Sequence, residues 1–125
     1  MRQTLTINTA TQKYTVTTEM GFFKHMGSTL ANQYPEKKVA VITDDTVLDI
    51  YGEELRAQMD KAGINWTLIS LPPGEDSKSF SVLPHLYTKL LEFQLTREDL
   101  ILALGGGVIG DIAGFTAATF LRGVD

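Results

Sequence analysis

Residues 101–111 read ILALGGGVIGD, an apolar run that meets three consecutive glycines and then an aspartate. Gly105, Gly107 and Gly110 satisfy the spacing GxGxxG, with a strand-like run before them and a helix-like segment after them, the context in which that spacing signifies a diphosphate turn. Glycine there permits a tight turn and lets backbone N–H groups approach an anion at the positive end of a helix, where a Cβ would obstruct. The same spacing also fits a turn whose glycines only allow a helix to pack closely on a sheet, and Gly110 and Gly114 are read in that packing role.

Other polar residues fall near the ends of predicted strands. Asp44 and Asp45 end VAVITDD, where an acid can accept the hydroxyls of a ribose or, equally, cap the helix that begins at Thr46. In PPGEDSK, Pro72, Pro73 and Gly74 fix a turn that holds Glu75 and Lys78 in place; a carboxylate there can accept from sugar hydroxyls and a lysine can meet a phosphate, or both can be solvated surface. Asp111 lies in the first turn of the last helix, where the helix dipole alone favours an acid. Eleven residues on, Arg122 returns at 100° per residue to nearly the same face, roughly 16 Å away along the axis. A stripe through Ala118 therefore has an acid at one end and a base at the other, with Ile109, Ile112, Ala113, Thr116 and Phe120 on the opposite, sheet-facing side. His25 and His85 are far apart on separate helical segments, no cysteine is present, and no complete metal site is visible.

The elements that must position these groups alternate. LTINT and YTVTTE flank a short polar TATQ and predict a β-hairpin over 4–18. Phe22, Phe23, Met26 and Leu30 predict a short amphipathic helix that Pro35 ends. Then come a strand at KKVAVIT, a helix with Leu48, Tyr51, Leu55 and Met59 on one face and Gly63 as its stop, and a strand at 64–71. A helix follows whose inner face is Leu83, Leu86, Tyr87, Leu90 and Leu91, with Ser81 as N-cap and Pro84 in its first turn. A strand at 99–104 and a helix from Val108 to Leu121 complete the order, and the closing RGVD reads as the start of another strand.

This order predicts an α/β fold: a Rossmann-like parallel sheet with helices on both faces, preceded by a β-hairpin, as one domain over 1–125. Ligands of such sheets bind outside the carboxyl ends of the strands, so the loops after 42, 71 and 104 should share one edge. At 125 residues and 43% hydrophobic the chain can bury a core. A net charge of −4 offers no basic surface for nucleic acid or anionic membrane. No run reaches the ~18 apolar residues of a membrane span, and the absence of cysteine agrees with a reducing compartment, the cytoplasm.

PPGEDSK followed by LALGGGVIGDIAGFTAATFLRGVD resembles the 3-dehydroquinate synthase family, and the resemblance extends along the chain in element order. It implies an N-terminal NAD-binding domain, with the family's C-terminal metal and substrate domain absent and no turnover by this chain alone. Members convert 3-deoxy-D-arabino-heptulosonate 7-phosphate, a phosphorylated sugar acid, to 3-dehydroquinate in the shikimate pathway, using NAD catalytically together with a divalent metal, zinc or cobalt. By the matching motifs, Asp44, Thr46, Glu75, Lys78, Gly106, Gly107, Val108 and Asp111 would bind NAD and Arg122 would bind substrate phosphate. The family also implies a homodimer, whereas its catalytic lysines and metal ligands have no counterpart to name here. Three alternatives share the nucleotide reading: another sugar-phosphate cyclase, a metal-dependent alcohol dehydrogenase, and a free-standing nucleotide-binding or dimerisation module.

Overall fold

Alternating threonine and β-branched residues on either side of a polar turn give β1 (Arg2–Asn8) and β2 (Lys13–Glu19), an antiparallel hairpin that pairs Leu5 with Val16 and Ile7 with Tyr14. The computed structural model describes residues 2–74 and 80–125. The hairpin forms a sheet of its own, and Leu5, Tyr14 and Val16 remain exposed on it.

After a 3-10 turn at Phe22–His25, α1 (Met26–Gln33) leads to β3 (Val39–Asp44), whose VAVIT residues are each at most 2% exposed. A strand of such residues suits only the middle of a sheet covered on both faces. The chain then forms α2 (Asp45–Lys61), β4 (Trp66–Leu71), a 3-10 turn at Phe80–Val82, α3 (Leu83–Glu92), β5 (Leu100–Ala103) and α4 (Gly107–Thr119). β4 and β5 pair in parallel with opposite edges of β3, giving the order β4-β3-β5.

The alternation of side chains along β3 divides the core in two. Val39 and Val41 pack with Met26 of α1 and with Leu55 and Met59 of α2; Ala40 and Ile42 pack with Leu86 and Leu90 of α3 and Ile109, Ile112 and Ala113 of α4. The crossover from β3 to β4 and the one from β4 back past β3 to β5 run in opposite directions, and their helices α2 and α3 lie on opposite faces, as right-handed connections require. On the first face α1 lies so close to α2 that a Cβ on Gly27 would come within 2.7 Å of the Gln58 carbonyl oxygen. The Gln58 side chain bridges the same contact, accepting from the Gly27 N–H at 2.8 Å and donating to the Phe23 carbonyl.

Three helical expectations need correction. Tyr51 is 44% exposed and edges against the Phe23 ring, because the buried stripe of α2 runs through Gly52, Leu55 and Met59. Leu91 is 60% exposed, since Leu86 and Leu90 already fill the face of α3 that meets the sheet. Ser81 is not the N-cap: it lies inside the 3-10 turn, Val82 takes the cap position in a helical conformation, and Pro84 still falls in the first turn, where no N–H is required.

At the amino ends of β3 and β5, the buried Asp99 joins the two strands. One carboxylate oxygen accepts from the Lys38 N–H at 3.0 Å, and the other accepts from the Thr96 N–H and hydroxyl at 2.8 and 2.9 Å. Burial alone would raise this carboxyl; the backbone N–H groups of Thr96 and Lys38, the Thr96 hydroxyl and the Lys38 ammonium at 3.9 Å outweigh it and hold the pKa below the ordinary 3.8. On the far edge of β5 the Ile101 N–H donates to the Asp125 carbonyl at 2.7 Å, whereas the Val124 N–H donates to the Ala117 carbonyl of α4 at 2.7 Å, so within RGVD only Asp125 meets that strand.

The lowered Asp99 pKa fixes the sign of a pH effect. Its contribution is complete above the unfolded-state value and is lost as pH falls through the folded-state value. Asp99→Asn is expected to lower stability at neutral pH by about 1.5–3 kcal/mol. It should also remove this residue's share of the stability that the parent chain loses below about pH 4, as followed by urea unfolding over a pH series.

Candidate functional site

Because the three strands are parallel, their carboxyl ends share one edge of the sheet. The chain leaves β3 toward β4 and returns past it to β5, so the exits of β3 and β5 diverge and a crevice opens between them. Asp44 to Thr46 form one side of that switch point, and Leu104 to Gly107 form the other.

The glycine turn is anchored to β3. Leu104 donates its N–H to the Ile42 carbonyl at 3.0 Å, and the Thr43 hydroxyl donates to the Leu104 carbonyl at 2.7 Å. The three glycines then differ in what requires them. A Cβ on Gly105 would meet the Cβ and Cγ1 of Ile109 at 3.0 Å, so a side chain there would have to push Ile109 aside. At Gly106, the N-cap of α4, and at Gly107, its first residue, a Cβ would meet nothing within 4 Å, and both are exposed. Nothing within the described chain demands glycine at 106 and 107. What their absent side chains leave is bare backbone at the N-terminus of a thirteen-residue helix, suited to an anion. Val108 follows with its side chain half-buried against the α3–α4 core, and Asp111 lies exposed one turn further on.

Across the crevice, Asp44 is half-buried and caps α2: its Oδ1 accepts from the Val47 N–H at 2.8 Å. Among the described residues its Oδ2 has no partner, so the same side chain caps the helix and keeps one acceptor for another group. Asp45 accepts from the Ser70 hydroxyl at the end of β4, and Thr46 is exposed in the first turn of α2. The capping and hydroxyl-binding roles weighed for the aspartate pair are therefore compatible on Asp44.

Some expectations take a different form. Glu75 and Lys78 lie outside the described residues. Gly110 and Gly114 are exposed on α4, and a Cβ at either would meet nothing within 4 Å, so close packing does not explain them. The inner face holds, since Ile109, Ile112, Ala113, Thr116 and Phe120 are all buried. The stripe joining Asp111 to Arg122 does not. α4 ends at Thr119, and Leu121 and Arg122 have φ of 50° and 68°, so a rotation of 100° per residue no longer predicts the direction of Arg122. Among the described residues no three His, Cys, Asp or Glu side chains gather as metal ligands, and His25 instead meets Glu19 at 3.5 Å.

The sequence reading missed Thr43. Its only signal was a lone hydroxyl at the end of the apolar run VAVIT. The distinct demands on the glycines predict distinct substitutions. Gly105→Ala should destabilise by about 1–3 kcal/mol through the clash with Ile109. Gly110→Ala, exposed within α4, should stabilise by about 0.5–1 kcal/mol; thermal unfolding of both variants checks the pair.

Comparison with known proteins agrees with this arrangement. A family model described as 3-dehydroquinate synthase N-terminal matches residues 68–125. The 3-dehydroquinate synthase of Clostridium perfringens (strain 13 / Type A) is 48% identical over 120 residues, which is 96% of this chain and 34% of that protein. The chain spans about a third of the length of the curated relatives it matches. Among solved structures, a 2-deoxy-scyllo-inosose synthase shares the fold with a TM-score of 0.81 at 21% identity, covering 98% of this chain and 34% of that one. A 2-epi-5-epi-valiolone synthase from Streptomyces hygroscopicus subsp. jinggangensis 5008, with NAD+ and Zn2+ bound, gives a TM-score of 0.68 at 28% identity over 76% of this chain and 26% of that one. With relatives 40–48% identical along nearly its whole length, and with the glycine turn inside the region matched by the family model, the chain belongs to the 3-dehydroquinate synthase family and corresponds to its N-terminal part.

Proposed function

We propose that residues 1–125 are the NAD-binding domain of a 3-dehydroquinate synthase, and that the turn at 105–107 receives the dinucleotide's diphosphate. The observation that carries this reading is the open space over Gly106 and Gly107 at the switch point of the sheet. The valiolone synthase solved with NAD+ supports it as a related fold that holds the same cofactor.

In this reading the N–H groups of Gly106, Gly107 and Val108 donate to diphosphate oxygens, with the α4 dipole aligned to the charge. Asp44 accepts ribose hydroxyls through Oδ2 while Oδ1 keeps its cap, and Thr46 donates its hydroxyl beside it. Glu75 and Lys78 hold the remaining ribose region, and Asp111 faces the nicotinamide end. Arg122 binds the phosphate of the phosphorylated sugar acid. When bound, NAD supplies reversible hydride transfer, and the protein's part is to fix its orientation. The whole enzyme's proposed reaction converts 3-deoxy-D-arabino-heptulosonate 7-phosphate to 3-dehydroquinate with loss of phosphate, in the shikimate pathway. The described residues do not fit the zinc or cobalt of such an enzyme, and no step here depends on it. The reading also includes a homodimer and a cytoplasmic location; among the described residues no helix is long and apolar enough to cross a membrane.

Titration calorimetry of the 125-residue chain with NAD tests the proposal. Saturable binding is expected. Asp44→Asn should weaken it about tenfold, and because asparagine caps helices as well as aspartate, its melting temperature should stay close to the parent's. Absence of saturable binding at millimolar NAD would overturn the reading for this chain.

A further inference from the structure

We propose that Thr43 is a positioning residue for the nucleotide turn, acting through the carbonyl of Leu104; this rests on the NAD reading of that turn. Thr43 is fully buried in the central strand, where valine would match its shape and strand preference. A hydroxyl taken out of water there is costly unless bonded, and this one donates to Leu104 at 2.7 Å.

The acceptor is what matters. The β3–β5 register ends with Ile42 opposite Ala103, so the Leu104 carbonyl lies beyond the ladder. That carbonyl shares a rigid peptide plane with the N–H of Gly105. Fixing the oxygen therefore fixes the direction in which the backbone enters three glycines, each of which is otherwise conformationally permissive. The Leu104 N–H is held as well, by the Ile42 carbonyl at 3.0 Å. Branching at Cβ limits the rotamers of Thr43, so its hydroxyl presents a stiff donor. The permissive turn is thus oriented from a buried strand, while the face over Gly106 and Gly107 stays open.

The test compares Thr43→Val, which keeps the shape and loses the hydroxyl, with Thr43→Ser, which keeps the hydroxyl. NAD dissociation constants and melting temperatures are measured for both. The expected result is at least tenfold weaker binding for the valine variant and binding within threefold of the parent for the serine variant. A role confined to stability would lower the melting temperature of the valine variant and leave its dissociation constant unchanged when measured well below that temperature; this result overturns the proposal. If Thr43→Val does not fold, Thr43→Ala against Thr43→Ser isolates the hydroxyl in the same way. If the parent chain itself binds no NAD, the nucleotide reading fails, and amide exchange then tests the clamp alone. Exchange at the Leu104 amide, which is bonded to the Ile42 carbonyl, should be faster without the hydroxyl while the β3 amides are unaffected, and an unchanged rate at Leu104 would overturn it.

Discussion

The parallel ladder on both edges of β3 is the constraint from which the rest of the molecule follows. A strand paired on both edges and buried on both faces needs helices above and below it, and its alternating side chains create two separate cores. It also forces the chain to pass to both sides of one strand, which puts Asp44 and the glycine turn after the carboxyl ends of adjacent strands, at the switch point of the sheet. Two side chains bracket its pairing with β5: Asp99 accepts across the amino ends, and Thr43 donates across the carboxyl ends. Both are buried polar groups that bond a backbone atom across the strand pair, Asp99 the Lys38 N–H and Thr43 the Leu104 carbonyl, so these two bonds form only when the strands are in register.

Much of this architecture was legible in the sequence because it is written in local patterns. The β-branched run VAVIT, the spacing of Leu55 with Met59 and of Leu86 with Leu90, and the threonine-rich hairpin each declare an element from neighbouring residues alone. Periodicity is less exact about which residues flank the buried stripe, and so Tyr51 and Leu91 were placed inside although each lies just past its edge. The expected Asp111–Arg122 alignment assumed unbroken helical phase, which the positive φ of Leu121 and Arg122 removes. The bonding of Thr43 was out of reach for a different reason: its acceptor lies 61 residues away in sequence, and only strand order brings the two together.

The glycine motif shows how much a pattern holds and how much geometry must add. As a spacing, GGGVIG could have served packing throughout. In the fold only Gly105 does so, against Ile109, while Gly106 and Gly107 face open space. The motif thus combines a residue that seats the turn with two that leave its backbone accessible, and Thr43 sets its direction from behind.

That accessibility has a cost in backbone entropy. α4 carries glycine at 107, 110 and 114, and glycine within a helix is less favourable than alanine by roughly 0.5–1 kcal/mol per residue. The helix has little intrinsic tendency to persist at its amino end, and it is held by the single face that Ile109, Ile112 and Ala113 press on the sheet. Local opening of a protein begins where such tendency and cover are least. The first turns of α4 would therefore fray well before β3 and β5 separate, and an anion seated there would act as the cap that the sequence itself does not provide.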